Sequence, residues 1–199
     1  MKQKAEITTL FRLAAEQDGL AAIEFAIVAP VFCLLLMGIF DIGQMAYGRS
    51  ILSGAVEKAA RSSAMETADT TAADLMVQNA IKPILPGATF TSTRAAYVDF
   101  SDVNRAEKFT DTNNNGTCDA GEPYVDENRS GHWEADVGIS GNGGANDVVL
   151  YTVTVNYKPV FRVNLLGNTT ETRTMVAYGV RKNQPFATQR GYGSSAGTC

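Results

Sequence analysis

The clearest pattern in the chain is a run of apolar residues over positions 20–40, in which Glu24 is the only charged residue. A helix over this run would be about 30 Å long at 1.5 Å per residue, which matches the hydrocarbon thickness of a bilayer. The run is too long for the core of a secretory signal peptide. It therefore predicts a membrane-spanning helix that begins near residue 20.

The helical pattern continues past the apolar run. Apolar residues recur at spacings of three and four between positions 42 and 60, which is typical of an amphipathic helix. One helix over 20–65, with positions 20–47 in the membrane, is the favoured interpretation. The alternative is two helices that meet near Gly43 or Gly48. A second, short helix is predicted over 71–82, after the capping residue Asp69 and before Pro83.

The remaining elements alternate in the manner of β-strands. Val148–Tyr157 places Val and Tyr residues on one face and Thr and Asn on the other. Thr89–Tyr97 contains β-branched and aromatic residues without strong helix formers, 161–165 is a shorter candidate, and 171–181 alternates again. The Gly-, Ser- and Gln-rich chain over 183–199 predicts a flexible tail. The fold class is therefore α+β: a long N-terminal helix, a short helix and an antiparallel sheet, with 48–182 forming a domain outside the membrane.

The start of the apolar run carries a recognisable motif. Gly19 is followed by four apolar residues, then by Glu24 and Phe25, and the long apolar stretch continues. This arrangement resembles the processing site of type IV prepilins, and positions 19–49 are similar to the start of TadE-like pilus-assembly proteins of the tight-adherence (Flp) system. The resemblance implies a pilin-like pseudopilin, and it implies that a prepilin peptidase cuts between Gly19 and Leu20 and removes a leader, 1–19. Its implied partners are other pilins or pseudopilins.

Glu24 admits two interpretations. A carboxylate inside a membrane helix costs roughly 2.5 kcal/mol or more at depth unless it has a partner. Glu24 could lie solvated in the headgroup zone. Alternatively, the resemblance implies that processing exposes an amine on Leu20, and that this amine in a neighbouring subunit approaches the Glu24 carboxylate.

The positions of charged residues indicate the membrane orientation, and net charge and motifs exclude several classes of function. Lys2, Lys4 and Arg12 precede the helix and only Arg49 follows closely, which favours a cytoplasmic N-terminus, a single pass through the inner membrane, and a periplasmic or extracellular C-terminal domain. The net charge of −4 argues against a nucleic-acid surface. The sequence contains no phosphate-binding glycine loop, paired-cysteine metal motif or G-x-S-x-G motif, so we expect neither an enzyme nor a small-molecule substrate.

An acidic stretch interrupts the strand region. Its residues 111–122, the first loop, fit the twelve-residue calcium motif D-x-[DN]-x-[DN]-G-x5-E at every specified position. Gly116 permits the sharp turn, and oxygen atoms at fixed spacings would converge on the ion. A solvated turn is the alternative. The predicted calcium ligands are Asp111, Asn113, Asn115, Thr117 (through its backbone carbonyl), Asp119 and Glu122.

A second, degenerate copy follows at residues 126–137, the second loop, so that 111–137 forms one calcium-loop-like insertion. Its twelfth position is Val137, which cannot coordinate an ion, although Asp136 lies beside it. Pro123 argues against a helix after the first loop. The weaker predicted ligand set is Asp126, Asn128, Ser130, Glu134 and Asp136.

The three cysteines divide between two environments. Cys33 lies in the apolar run, whereas Cys118 and Cys199 are the one pair beyond it. A thiol pair outside the cytoplasm tends to oxidise. A Cys118–Cys199 disulfide is therefore an expectation, although the spacing does not tell whether the two residues meet.

Two classes of function fit these patterns. The favoured one is a membrane-anchored pseudopilin of tight-adherence pilus assembly that acts by helix packing with other subunits and has a calcium-ordered loop. The alternative is a single-pass, calcium-dependent binding or adhesion protein whose apolar segment is only an anchor. Cleavage after Gly19 distinguishes them, because the second class gives no reason for a cut there.

Overall fold

The computed structural model describes residues 19–65, 68–160, 172–185 and 193–199. The chain divides into two compact units, Met1–Met45 with Val160–Thr169 and Ala46–Pro159 with Thr170–Cys199. The leader up to residue 18, the strand predicted over 161–165 and positions 186–192 of the predicted tail lie outside the described residues.

Within the described residues the elements are two α-helices, six β-strands and a short 3₁₀-helix, and together they confirm the α+β class. The helices are α1 (Leu20–Ser62) and α2 (Thr70–Ile81), and the 3₁₀-helix is Phe100–Asp102. The strands are β1 (Thr89–Tyr97), β2 (Pro123–Asp126), β3 (Ile139–Ser140), β4 (Val148–Tyr157), β5 (Arg173–Lys182) and β6 (Ser195–Thr198).

Helix α1 is one continuous element of 43 residues. It passes through Pro30, whose missing N–H removes only one backbone hydrogen bond, and through Gly43 and Gly48 without a break. The single-helix interpretation is therefore confirmed, although α1 ends at Ser62 rather than at residue 65. Among the described helices, α1 is the one that is long and apolar enough to cross a membrane.

Helix α2 starts and stops where its caps dictate. The Asp69 side chain accepts a hydrogen bond from the backbone N–H of Ala72 at 2.9 Å, which satisfies one of the free donors of the first turn. The buried residues Ala73, Val77 and Ile81 recur every four positions. This spacing gives α2 one apolar side that packs in the core.

The main sheet is antiparallel, with strand order β3-β1-β4-β5. The burial of β4 alternates as its sequence predicted, with Tyr151, Val153 and Val155 buried and the residues between them half-buried. These three side chains pack with Leu52 and Val56 of α1 in the larger hydrophobic cluster. Sheet and helices therefore form two layers around one core.

Residues 98–147 form an excursion at the tip of the β1–β4 hairpin. Tyr97, the last residue of β1, pairs with Val148, the first residue of β4. These two residues and Val137 of the excursion form a second, smaller hydrophobic cluster. The acidic loops thus leave the sheet and return to it at adjacent positions.

Asp74 connects α2 to the sheet through three side chains. Its carboxylate accepts hydrogen bonds from Arg94 (2.6 Å), Tyr151 (2.6 Å) and Ser92 (2.8 Å). The Arg94 guanidinium also stacks on the Tyr151 ring, 4.2 Å from its centroid. The network places an ion pair and a cation–π contact at the edge of the core.

The prediction of a flexible tail over 183–199 is wrong for its last residues. Ser195–Thr198 form β6, which pairs antiparallel with β2 in a separate two-stranded sheet. A disulfide joins Cys199 to Cys118, with the Cα atoms 5.8 Å apart. Composition alone could not reveal this strand, because a covalent bond and backbone pairing hold it rather than apolar side chains.

Candidate functional site

The predicted processing site lies at the beginning of α1. Gly19 immediately precedes the helix and Leu20 is its first residue, so the Gly19–Leu20 peptide bond is the entry to the helix. A Cβ atom added at Gly19 would meet no atom within 4 Å among the described residues. Glu24 and Phe25 are exposed in the first turns, Phe25 at 72 %.

The apolar side chains of this part of α1 have few contacts within their own unit. Large apolar residues from Ile23 to Ile42 are exposed, most of them at about half or more of their surface. A helix that is apolar on all sides requires lipid or other helices around it. This arrangement is compatible with a single-pass membrane anchor.

The first loop closes through its own side chains. Asp111 accepts hydrogen bonds from the backbone N–H groups of Asn115 (3.2 Å) and Gly116 (2.8 Å). Asp119 accepts hydrogen bonds from the side-chain amides of Asn113 (2.8 Å) and Asn115 (2.6 Å). Four of the predicted calcium ligands are thus linked in one network.

The turn of this loop depends on two residues with positive φ. Gly116 has a φ of +79°, which costs glycine little, and Asn114 has a φ of +59°, which asparagine tolerates better than most residues. Thr117 donates both its N–H (2.8 Å) and its hydroxyl (2.9 Å) to the side-chain oxygen of Asn115.

Glu122 closes the first loop from its twelfth position. The side chain is buried and accepts hydrogen bonds from the backbone N–H groups of Asp119 (3.0 Å) and Thr112 (2.7 Å), and from the Thr112 hydroxyl (2.8 Å). The Asp119 bond, followed by those of Thr112, holds the pKa of Glu122 below its usual value. Glu122 is therefore kept as a carboxylate.

The second loop repeats the hydrogen bonds of the first. Asp126 accepts from the backbone N–H groups of Ser130 (3.0 Å) and Gly131 (2.9 Å), as Asp111 does from the equivalent positions. The Asn128 amide donates to Glu134 at 2.5 Å, as Asn113 does to Asp119. Arg129 and Gly131 have positive φ at the positions of Asn114 and Gly116. The two loops are structural repeats.

Glu107 stands where the second loop lacks its twelfth ligand. Its two carboxylate oxygens accept hydrogen bonds from the backbone N–H groups of Glu127 (2.8 Å) and Glu134 (3.1 Å). These are loop positions 2 and 9, the same positions that donate to Glu122 in the first loop. Glu107 is only 2 % exposed. Glu107 therefore supplies the carboxylate that is missing at the twelfth position of the second loop, where the sequence has Val137.

The sequence could not identify Glu107 because it precedes both loops. Residues 107–110 lie antiparallel to β2, with a bridge between Phe109 and Tyr124 and a bond from the Thr110 N–H to the Pro123 carbonyl (2.8 Å). The first loop follows segment 107–110 and is closed by Glu122, which directly precedes β2, whereas the second loop starts at the end of β2 and is closed by Glu107, the first residue of segment 107–110. In the sequence, Glu107 is visible only as a single glutamate four residues before Asp111, which does not indicate the loop that it closes.

Asp136, the last residue of the second predicted ligand set, makes its hydrogen bonds outside the loop. Its carboxylate accepts hydrogen bonds from the Tyr97 hydroxyl (2.8 Å) and the Gly138 N–H (3.1 Å). Burial, together with this hydrogen bond and the Asp136 charge, raises the pKa of Tyr97 to about 12. Asp136 thus fixes the excursion to the end of β1.

Burial and hydrogen bonding compete at the first position of the second loop. Burial raises the pKa of the Asp126 carboxyl, but N–H donors from Gly131, Ser130 and Arg129 outweigh it and lower the pKa overall.

Among the described residues, no three Asp, Glu, His or Cys side chains converge as a metal centre would require. The loops are thus closed on their own N–H groups, with Asn amides facing the carboxylates of Asp119 and Glu134.

Two aromatic residues, Trp133 and Phe109, pack against each other next to the loops. The Trp133 indole donates to the Glu107 carbonyl at 2.9 Å and meets Phe109 edge-to-face, with ring centroids 5.6 Å apart. The side chain of His132, the preceding residue, is exposed, and its Nε2 atom lies 3.3 Å from Oε1 of Glu134. Trp133 therefore ties the second loop to the segment that carries Glu107, whereas His132 contacts only Glu134 at the surface of the same loop.

Comparison with known families agrees with the resemblance at the N-terminus. The family model of TadE-like proteins matches residues 19–61. No curated protein and no solved structure matches the chain. The matched segment is less than half of the chain and contains the apolar part of α1. Over residues 19–61, which comprise Gly19 and nearly all of α1, the chain is therefore similar to TadE-like proteins.

Proposed function

We propose that this chain is a pseudopilin that serves tight-adherence pilus assembly from the inner membrane. The observation that carries the proposal is the TadE-like match over residues 19–61, which falls on the glycine, the glutamate and the apolar helix that pilin-type processing requires. The N-terminus lies in the cytoplasm and the sheet domain lies in the periplasm or outside the cell. The chain acts by packing α1 against helices of other subunits.

In this function a prepilin peptidase cleaves the bond between Gly19 and Leu20. The new amine of one subunit then approaches the Glu24 carboxylate of its neighbour, and the two charges offset the cost of placing each in the apolar layer. The exposed apolar residues between Ile23 and Ile42 supply the surface that lipid and partner helices cover.

The test is the mass of the membrane-expressed protein with and without its cognate peptidase. Wild type should lose the first nineteen residues only when the peptidase is present, and Gly19→Trp should keep them because pilin-type peptidases accept little besides glycine there. The control is Gly38→Trp, which should still be cut, since a Cβ atom added at Gly38 would meet no atom within 4 Å. Wild type that keeps its first nineteen residues in the presence of the peptidase would refute the processing step, and Gly19→Trp that loses them would show that Gly19 does not direct the cut.

We further propose that the two loops bind calcium. This activity would fit the pseudopilin and also the alternative function, a calcium-dependent binding or adhesion protein. The observation that favours it is the repetition of one loop geometry twice, each copy closed by a buried glutamate, Glu122 or Glu107. In the first loop, an ion would replace the Asn amide N–H groups at Asp119. The Asn side chains would then turn their oxygens inward, because calcium takes only oxygen ligands.

The residues that would hold the ions follow from the repeat. In the first loop they are Asp111, Asn113, Asn115, Thr117, Asp119 and Glu122. In the second they are Asp126, Asn128, Ser130, Glu134 and Glu107, whereas Asp136 holds the Tyr97 hydroxyl instead. Bound calcium would remove the repulsion among the carboxylates and stabilise the excursion by about 2.7 kcal/mol when free calcium exceeds the dissociation constant a hundredfold.

Calcium titration of the full chain in detergent tests this activity, with the melting temperature and calorimetry as readouts. Glu107→Gln should abolish one binding event and Glu122→Gln the other, while Asp136→Asn should keep both. An identical melting curve in calcium and in chelator would refute ion binding at either loop. If calcium binds while Gly19 is never processed, the adhesion alternative is correct.

A further inference from the structure

We propose that β6, held by the Cys118–Cys199 disulfide, is a redox-released strap that keeps both acidic loops ordered. The proposed effect on loop order rests on the contacts that the strap makes with the loops, and only the predicted change in calcium affinity rests on the proposed ion binding. Among the described residues, this disulfide is the one covalent link between the excursion and the C-terminal segment.

One end of the strap is built into the first loop. Cys118 is the eighth residue of that loop and lies next to Asp119. Around the disulfide, the Gly121 N–H donates to the Cys199 carbonyl (3.1 Å) and the Cys199 N–H donates to the Glu122 carbonyl (2.9 Å). Cys199 therefore holds the backbone on which the Glu122 carboxylate is mounted.

The other end of the strap reaches the second loop. β6 pairs with β2 over its whole length, from Pro123 opposite Thr198 to Asp126 opposite Ser195. The Ser195 hydroxyl donates to the Asp126 carboxylate at 3.3 Å. Strand β2 joins the last residue of the first loop to the first residue of the second, so one strap controls the backbone of both.

Little besides the disulfide fastens β6. The strand Ser195–Thr198 consists of Ser, Ala, Gly and Thr, and its residues are exposed or half-buried. Gly197 lies against the Tyr124 ring so closely that an added Cβ would come 2.3 Å from a ring carbon. A four-residue strand without a buried apolar side chain gains too little from backbone pairing to stay docked on its own.

Reduction of this disulfide is chemically simple. Both cysteines are half-buried rather than enclosed, so a dithiol of the thiol–disulfide oxidoreductase class can approach them. One thiolate of the dithiol attacks a cysteine sulfur and forms a mixed disulfide, and its second thiolate displaces the protein thiolate. Two electrons pass to the protein, both cysteine thiolates take up protons, and the dithiol ends as a disulfide.

The experiment uses the full chain in detergent with a Cys33→Ser background, which removes the third thiol. Hydrogen exchange and calcium affinity are measured for the oxidised protein, for the same protein reduced with dithiothreitol, and for Cys118→Ser/Cys199→Ser. Reduction and the double variant should each accelerate amide exchange at least tenfold in β2 and β6 and in residues 111–134. The calcium dissociation constant should rise at least tenfold, while exchange in β4 stays unchanged.

The outcomes separate the strap from ion binding. Unchanged exchange in the loops after reduction would overturn the strap, whereas faster exchange with an unchanged calcium constant would support the strap and overturn its predicted effect on calcium affinity. If the oxidised protein binds no calcium, the ion-binding proposal fails while exchange alone judges the strap. Loop exchange that accelerates only when the disulfide opens supports it even then. Faster amide exchange in β4 of the variants would reveal general unfolding and count against it.

Discussion

At the scale of single residues, Asp74 shows how one carboxylate can tie a helix to a sheet. Burial raises its pKa, but the hydrogen bonds from Arg94, Tyr151 and Ser92 outweigh burial and lower the pKa below the usual 3.8. The folded state therefore binds this proton less tightly than the unfolded state. The resulting stabilisation is complete above about pH 4 and is lost as the pH falls through the lowered pKa.

This linkage predicts the behaviour of Asp74→Asn. At pH 7 the variant should be less stable than wild type by about 2 kcal/mol, between the values typical of exposed and of buried ion pairs. The difference should shrink as the pH falls below 4, because wild type loses its advantage there. Denaturant unfolding of the sheet domain at pH 7 and pH 3 measures both values. Tyr151→Phe, which removes one donor to the same carboxylate, should show a smaller effect of the same sign, and a pH-independent difference would exclude the linkage.

At the scale of elements, the contact of α1 with β5 depends on a glycine. Gly179 faces the helix where a Cβ atom would come within 2.9 Å of the Ala60 Cβ and 3.3 Å of a Val56 methyl carbon. The close approach lets the buried face of β5, with Met175 and Ala177, lie in the same core as Leu52. Strand and helix therefore fit only without a side chain at this position.

Enlarging this residue should separate the two elements. Gly179→Val should destabilise the domain by about 2–3 kcal/mol through overpacking. Gly54→Ala, at an α1 glycine that has no atom near the added Cβ, should instead be neutral or stabilise by up to about 1 kcal/mol. Denaturant midpoints of the two variants decide the matter, and equal stability of Gly179→Val and wild type would show that α1 and β5 can move apart at no cost.

The elements that the sequence predicted are those whose own side chains define them. β1 and β4 have the predicted bounds, and α2 differs from its prediction by one residue at each end. β2 and β6 were missed because each has four residues and depends on a partner remote in sequence. For the same reason the first loop was readable from local spacing, whereas Glu107 required the pairing of 107–110 with β2.

At the scale of the whole molecule, one N-terminal motif and a separate pair of loops carry the proposed functions. The motif could be identified because it lies in a continuous stretch of chain, and the TadE-like family model matches residues 19–61. The loops could be identified only in part, because closure of the second loop and docking of β6 are long-range events. Sequence periodicity records which face of an element is apolar, but it does not record which distant segment covers that face.

The pairing of Tyr97 with Val148 has a consequence for the order of folding events. The β4–β5 hairpin closes a connection of about fifteen residues, whereas β1 can join β4 only across an excursion of about fifty, and the longer closure costs about 1 kcal/mol more in chain entropy. The nucleus should therefore contain β4 and β5, with β1 added late. Shortening the excursion to a tight turn would accelerate folding more than it would change the sheet.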